Sequence, residues 1–154
     1  MRFALLFALV LCVSTVYGYE RLWAKGDVLL SELQNGKDEL HVVVFYDSTN
    51  NEEAYAKVKE NQAVQEQVLA FLKEISAGGK SPFPTNVFYA TVDSTDPYNQ
   101  NLIYKVGIDP AILKDGPAIL TLRQGTGFRQ NGPKVNAALR TSVDKLRGAA
   151  PASK

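Results

Sequence analysis

Residues 40–53 read LHVVVFYDSTNNEE, and the change of pattern inside this stretch decides the fold. Val42, Val43, Val44, Phe45 and Tyr46 are β-branched or aromatic with no polar alternation, as expected of a strand buried on both faces of a parallel or mixed sheet. The run stops at Asp47, Ser48, Thr49, Asn50 and Asn51. Thr49 and Glu52 have the spacing of a capping box, and Glu52 and Glu53 bring negative charge to the positive end of a helix dipole, so a helix is predicted to begin here. Its inward face reads Val58, then Val64, Val68, Leu72 and Ile75, the last four at spacings of three and four, and Gly78 and Gly79 close it. A buried strand that delivers a polar corner to the head of a helix is a usual place for chemistry.

The flanking segments extend this unit in both directions. Upstream, residues 20–25 form a short lead-in, and Asp27 is read as the N-cap of a brief helix over residues 28–33 that ends at Asn35 and Gly36. Downstream, Pro82 and Pro84 make residues 80–85 an irregular connector, and residues 86–92 form a second interior strand. Asp96 with Pro97 opens a third helix, with Leu102, Ile103 and Val106 inward and Gly107 as its stop. Helix, strand, helix, strand, helix implies right-handed crossovers and parallel strands. After a loop at 108–115, a strand opens at Gly116 and Pro117 and runs to Arg123. Gly125 and Gly127 are read as the turn of an antiparallel hairpin whose return strand begins at Phe128 and Arg129. Gly132 and Pro133 open a last helix with Val135, Leu139, Val143 and Leu146 inward, and Gly148 stops it. Residues 149–154 are expected to be a flexible tail.

The 154 residues are 45% hydrophobic and 21% charged, which suits one domain with a well-buried core. The start, MRFALLFALVLCVSTVYGYE, has one Arg, an apolar run and small residues before Tyr19, the anatomy of a secretory signal peptide over residues 1–18 with the domain at 19–148. The apolar run from 3 to 17 falls short of a membrane span; the alternative is that residues 1–19 are retained as an N-terminal anchor. Without Arg2 the chain is neutral, which argues against a nucleic-acid partner. Its charge is uneven, with 8 Lys/Arg and 14 Asp/Glu over residues 19–113 but 8 against 2 over residues 114–154. A solvated mixed-charge surface explains this, and contact with an acidic protein surface or anionic lipid is the alternative. The tetrapeptide at 37–40, KDEL, is internal and carries no retrieval meaning there.

Candidate chemistry is sparse. The single cysteine, Cys12, lies in the apolar part of the expected signal, so the processed chain has no thiol. His41 is the one histidine, at the mouth of the central strand; with no second ligand it is read as a structural residue, and no metal is expected. Ser48 and Thr49 have as candidate bases only carboxylates already suited to helix capping, and are read as capping groups. Glu52 and Glu53 point to different helix faces and form no acid/base dyad. The glycines at 125 and 127 are too closely spaced for a phosphate loop, and Arg123 and Arg129 are read as a solvated pair across the hairpin.

The order of elements, with Phe45 and Tyr46 before a helix-initiating corner, YATVD at 89–93, YKVGI at 104–108 and Gly116-Pro117 opening an apolar strand, resembles the thioredoxin-like superfamily of thioredoxin and protein disulfide isomerase domains. The resemblance covers about residues 23–148. It implies an α/β fold with a central mixed sheet of four to five strands flanked by helices. It also places the family's redox motif on Thr49, Asn50, Asn51, Glu52 and Glu53, with the two cysteine positions on Asn50 and Glu53, and its buried acid near Val44. All three groups are absent here. Pro117 falls on the family's cis-proline position, beside which related domains pair with an extended peptide, so Gly116 and Pro117 are candidate peptide-binding residues. The implied protein is a redox-inactive member of the secretory pathway, secreted or lumenal, that binds unidentified protein partners or serves as an accessory subunit, without a cofactor. The alternatives are a membrane-anchored structural subunit of a respiratory or translocation complex, and a thiol-independent glutathione- or peptide-binding protein.

Overall fold

The computed structural model describes residues 19–35, 37–49, 54–76, 86–131 and 135–148, with the backbone alone described at 54–57, 76, 135–136 and 147–148. The order of elements is β1 (Glu20–Arg21), α1 (Gly26–Gln34), β2 (Leu40–Tyr46), α2 (Ala54–Ser76), β3 (Val87–Asp93), α3 (Gln100–Lys105), β4 (Ala118–Arg123), β5 (Thr126–Asn131) and α4 (Val135–Gly148), with 3-10 turns at Pro97–Asn99 and Ile112–Lys114. The strands form one mixed sheet in the order β1-β3-β2-β4-β5. β2 is its centre, parallel to β3 and antiparallel to β4. This explains why its sequence shows no polar alternation: each face meets a different helix layer. On one face Leu40, Val42 and Val44 pack with Val68 and Leu72 of α2 and Leu139 of α4. On the other, Val43 and Phe45 pack with Leu29 and Leu33 of α1 and Leu102 and Ile103 of α3. The period of two along β2 thus serves two cores, with helices on both sides.

Several local expectations are corrected. Residues 20–21 are not a bare lead-in but a short edge strand, parallel to β3 with Arg21 opposite Tyr89; two residues carry too little pattern to read as a strand. The first helix starts earlier than expected, and Asp27 lies in its first turn, not at its N-cap, which is Lys25, whose side chain makes no capping hydrogen bond. Asp27 instead accepts from Asn101 Nδ2 at 2.6 Å, joining α1 to α3. The 108–115 loop contains a 3-10 turn. In the hairpin the two turn residues are Gln124 and Gly125, at φ 51° and 77°. Two positive φ values in a two-residue loop match the strand twist, and Gly127 belongs to β5, paired with Leu122. Arg123 and Arg129 do not meet, because the register sets Arg123 opposite Thr126 and Arg129 opposite Leu120, on opposite faces. Arg123 bonds Asp38 Oδ1 at 2.6 Å and the Leu146 carbonyl at 2.8 Å, whereas Arg129 bonds the carbonyl of Val106. The cis-proline expectation fails as well: no cis peptide bond occurs among the described residues. The trans isomer is favoured by roughly 0.5–1 kcal/mol, and Gly116, at φ 156°, supplies the change of direction ahead of β4.

His41 is 4% exposed and stacks on Phe88, ring centroids 5.3 Å apart and 18° between planes. Burial pushes its pKa below the ordinary value, against the opposing pull of Glu39 and Glu32, and Lys37 adds to the lowering. The unfolded chain therefore takes up this proton at higher pH than the folded chain does, and stability falls as pH drops below the unfolded value of about 6.5. Denaturation midpoints measured between about pH 7.5 and 5.5 should decline on the acid side, and the decline should flatten in His41→Gln. An unchanged slope in the variant would remove His41 from this role.

Candidate functional site

The parallel strands β2 and β3 end side by side, tied by Ser94 N–H donating to the Tyr46 carbonyl at 2.8 Å. The two loops that follow them make the polar corner. Asp47 folds its carboxylate back onto the chain, accepting from Thr49 N–H at 2.7 Å and from the Thr49 hydroxyl. Its carbonyl accepts from Asn61 Nδ2 of α2 at 3.2 Å. Asp93 does the same in the neighbouring loop, accepting from the N–H and hydroxyl of Thr95 at 2.9 and 2.8 Å. Ser48 bridges the loops: its hydroxyl donates to Asp93 Oδ2 at 2.5 Å and lies 2.9 Å from the Thr95 hydroxyl. Aspartate and threonine are the residues whose short side chains stabilise such turns.

Beyond β3, Asp96 caps the 3-10 turn by accepting from Tyr98 N–H at 3.0 Å and pairs with Lys25 at 3.1 Å. That backbone donor, and then Lys25, hold its carboxyl below the usual range. The Tyr46 phenol is pushed up by burial and by Asp93. Asn99, 2% exposed, joins three elements: its amide donates to the Asp93 carbonyl and its oxygen accepts from Gly26 N–H, each at 3.0 Å.

The sequence-derived site residues are partly placed. Thr49 sits in the Asp47 turn and spends its hydroxyl on Asp47; Asn50, Asn51, Glu52 and Glu53, and with them the capping box, lie outside the described residues. Gly116 and Pro117 are buried immediately before β4, whose first residue Ala118 pairs with Phe45. A Cβ on Gly116 would lie 3.7 Å from Glu60 Oε1. Glu60 and Asn61 are consecutive on α2, so one turn of that helix borders both Gly116 and the Asp47 loop. Val44, at the expected acid position, is fully buried among apolar side chains. Ser48 is not a cap of a described helix but an inter-loop bridge. Its partner Asp93 also holds the N–H and hydroxyl of Thr95, which makes the carboxylate a turn-forming group, and His41 lies at the opposite end of β2. Among the described residues there is no cysteine and no group of three His, Cys, Asp or Glu able to hold a metal ion.

Asn61, Asn99 and Gly26 organise the corner and were not singled out by sequence reading. Asn61 had a visible signal: it falls between Val58 and Val64 on the inward stripe of α2, a polar residue where an apolar one is expected.

No family model matches the sequence, and no curated protein matches it. Solved structures do. The chain is similar to thioredoxin f from spinach chloroplast (long form), at 13% identity and TM-score 0.58 over 88% of this chain and 92% of that one. It is similar to Fasciola hepatica thioredoxin at 20% identity and TM-score 0.54, over 82% and 98%. It is also similar to thioredoxin from Trypanosoma brucei brucei at 15% identity and TM-score 0.53, over 84% and 92%. With the five-stranded mixed sheet between helices, these likenesses define the class: the protein has a thioredoxin-like α/β fold.

Proposed function

We propose that this is a redox-inactive thioredoxin-fold protein of the secretory pathway that works by binding, either as a secreted or lumenal protein or as an accessory subunit of a larger assembly. One observation carries the reading: the fold is thioredoxin-like, while the chain's single cysteine, Cys12, belongs to the apolar N-terminal segment of the sequence and no cysteine stands at 47–53. Among the described residues the hydroxyls and carboxylates of that corner are spent on each other, which suits a structural corner. The N-terminal segment supports secretory targeting by its composition. Residues 1–18 lie outside the described residues, among which no helix is long and apolar enough to cross a membrane.

The native protein should begin at Tyr19 when its N-terminus is sequenced, and it should be recovered with a discrete partner without detergent. A start at Met1 together with partners held only in detergent extracts would favour the membrane-anchored subunit instead.

A further inference from the structure

The helix layer on the α1/α3 side leaves the hairpin partly unroofed. α3 is only six residues long and stops at Gly107, and Gly125 and Gly127 present no side chains, so a groove of about 540 Å³ opens over β4 and β5. Its floor is leucine: Leu30 and Leu33 from α1, Leu120 and Leu122 from β4. Its charged lining is Lys105 and Arg129, and no carboxylate lines it. Arg129 donates through Nη1 to the carbonyls of Val106 and Gly107 at the end of α3, and its remaining nitrogens and the Lys105 ammonium make no hydrogen bond among the described residues. A second recess of about 250 Å³ shares Gly107 and Arg129 and continues along the hairpin to Ala118, so the depression follows the six residues of β4, about 20 Å at strand rise.

We infer that this groove is the docking site for an acidic amphipathic segment of a partner protein, with apolar side chains on the leucine floor and carboxylates toward Lys105 and Arg129. Charge complementarity selects the occupant: two cations with no lining carboxylate favour a negatively charged segment. The open, elongated shape suits a protein segment better than a small ligand, which is bound in a cavity that encloses most of its surface. The inference rests on the proposed binding function and gives it a surface, away from the polar corner.

The test is fluorescence anisotropy of the full chain with a labelled amphipathic peptide, leucine along one face and glutamate along the other, and with the same peptide carrying lysine for each glutamate. The glutamate peptide should bind, weaken as salt is raised, and outcompete the lysine form. Lys105→Glu and Gln34→Glu, both at exposed positions on the rim, should each weaken binding about tenfold at low salt while leaving the thermal midpoint in place. Equal binding of the two peptides, or wild-type affinity in both variants, overturns the inference. Self-association of the full chain that Lys105→Glu abolishes also overturns it, by assigning the groove to a second copy. Turnover of insulin disulfides would defeat redox inactivity without altering these binding curves, so the two failures are distinguishable.

Discussion

Replacing Gly26 by alanine is expected to destabilise the protein by about 3–4 kcal/mol, while the same change at Gly125 costs about 1 kcal/mol. Both glycines have positive φ, 51° and 77°, where an L-residue is strained by roughly 1–2 kcal/mol. They differ in what a side chain would meet. At Gly125 nothing lies within 4 Å, whereas at Gly26 a Cβ would stand 2.3 Å from the carbonyl oxygen of Tyr98. That oxygen is backbone, so relief requires α1 to move away from the 3-10 turn at Pro97–Asn99 and breaks the Gly26–Asn99 hydrogen bond. Urea unfolding of the two variants measures the difference directly. Equal losses would show that the α1 start and the 3-10 turn are not in close contact.

Asn99→Leu is expected to cost about 2 kcal/mol despite being close in size and more apolar. The change strands the Gly26 N–H, which Asn99 satisfies from a position 2% exposed, and leaves the Asp93 carbonyl with the 3.3 Å bond from Asp96 N–H alone. An unsatisfied buried donor costs roughly 1–3 kcal/mol and a lost hydrogen bond about 1 kcal/mol, of which the added apolar burial of leucine offsets a part. Amide hydrogen exchange at Gly26 should accelerate in step with the loss of stability. A variant within about 0.5 kcal/mol of wild type, the range of an ordinary surface change, would mean that water replaces the side chain there.

The sheet and its helices were legible because their causes are periodic. β2 announces burial on both faces by five consecutive apolar residues, and α4 shows Leu139, Val143 and Leu146 at helical spacing, all buried as expected. What sequence reading missed has local or tertiary causes. β1 is two residues long and is a strand only because β3 offers an edge. The isomer at Gly116–Pro117 depends on backbone angles that side-chain pattern does not encode. The separation of Arg123 from Arg129 follows from a hairpin register set by the turn at Gln124 and Gly125, one position from where spacing alone put it. The polar corner was located correctly by the pattern break at Asp47, but its content was not. The link from Ser48 to Asp93 spans 45 residues of chain, and the roles of Asn61 and Asn99 appear only when α2 and the 3-10 turn are placed against the strand ends.

These particulars bear on function through rigidity. Ser48, Asp93 and Thr95 bond one another, Asp47 holds Thr49, and Asn61 and Asn99 fasten the loops to helices, so the corner is built as a joint between layers. Its described hydroxyls already have partners, each bonded to a carboxylate that also holds a turn N–H. The proposed binding role accordingly falls to the leucine groove beside the hairpin, where Lys105 and Arg129 border an apolar floor with no lining carboxylate.

The most direct test of redox inactivity is insulin-disulfide reduction by the purified protein, followed as turbidity with dithiothreitol as the electron source, using the chain that begins at Tyr19. The account predicts a rate equal to that of dithiothreitol alone at every protein concentration. A rate that rises in proportion to protein would contradict it.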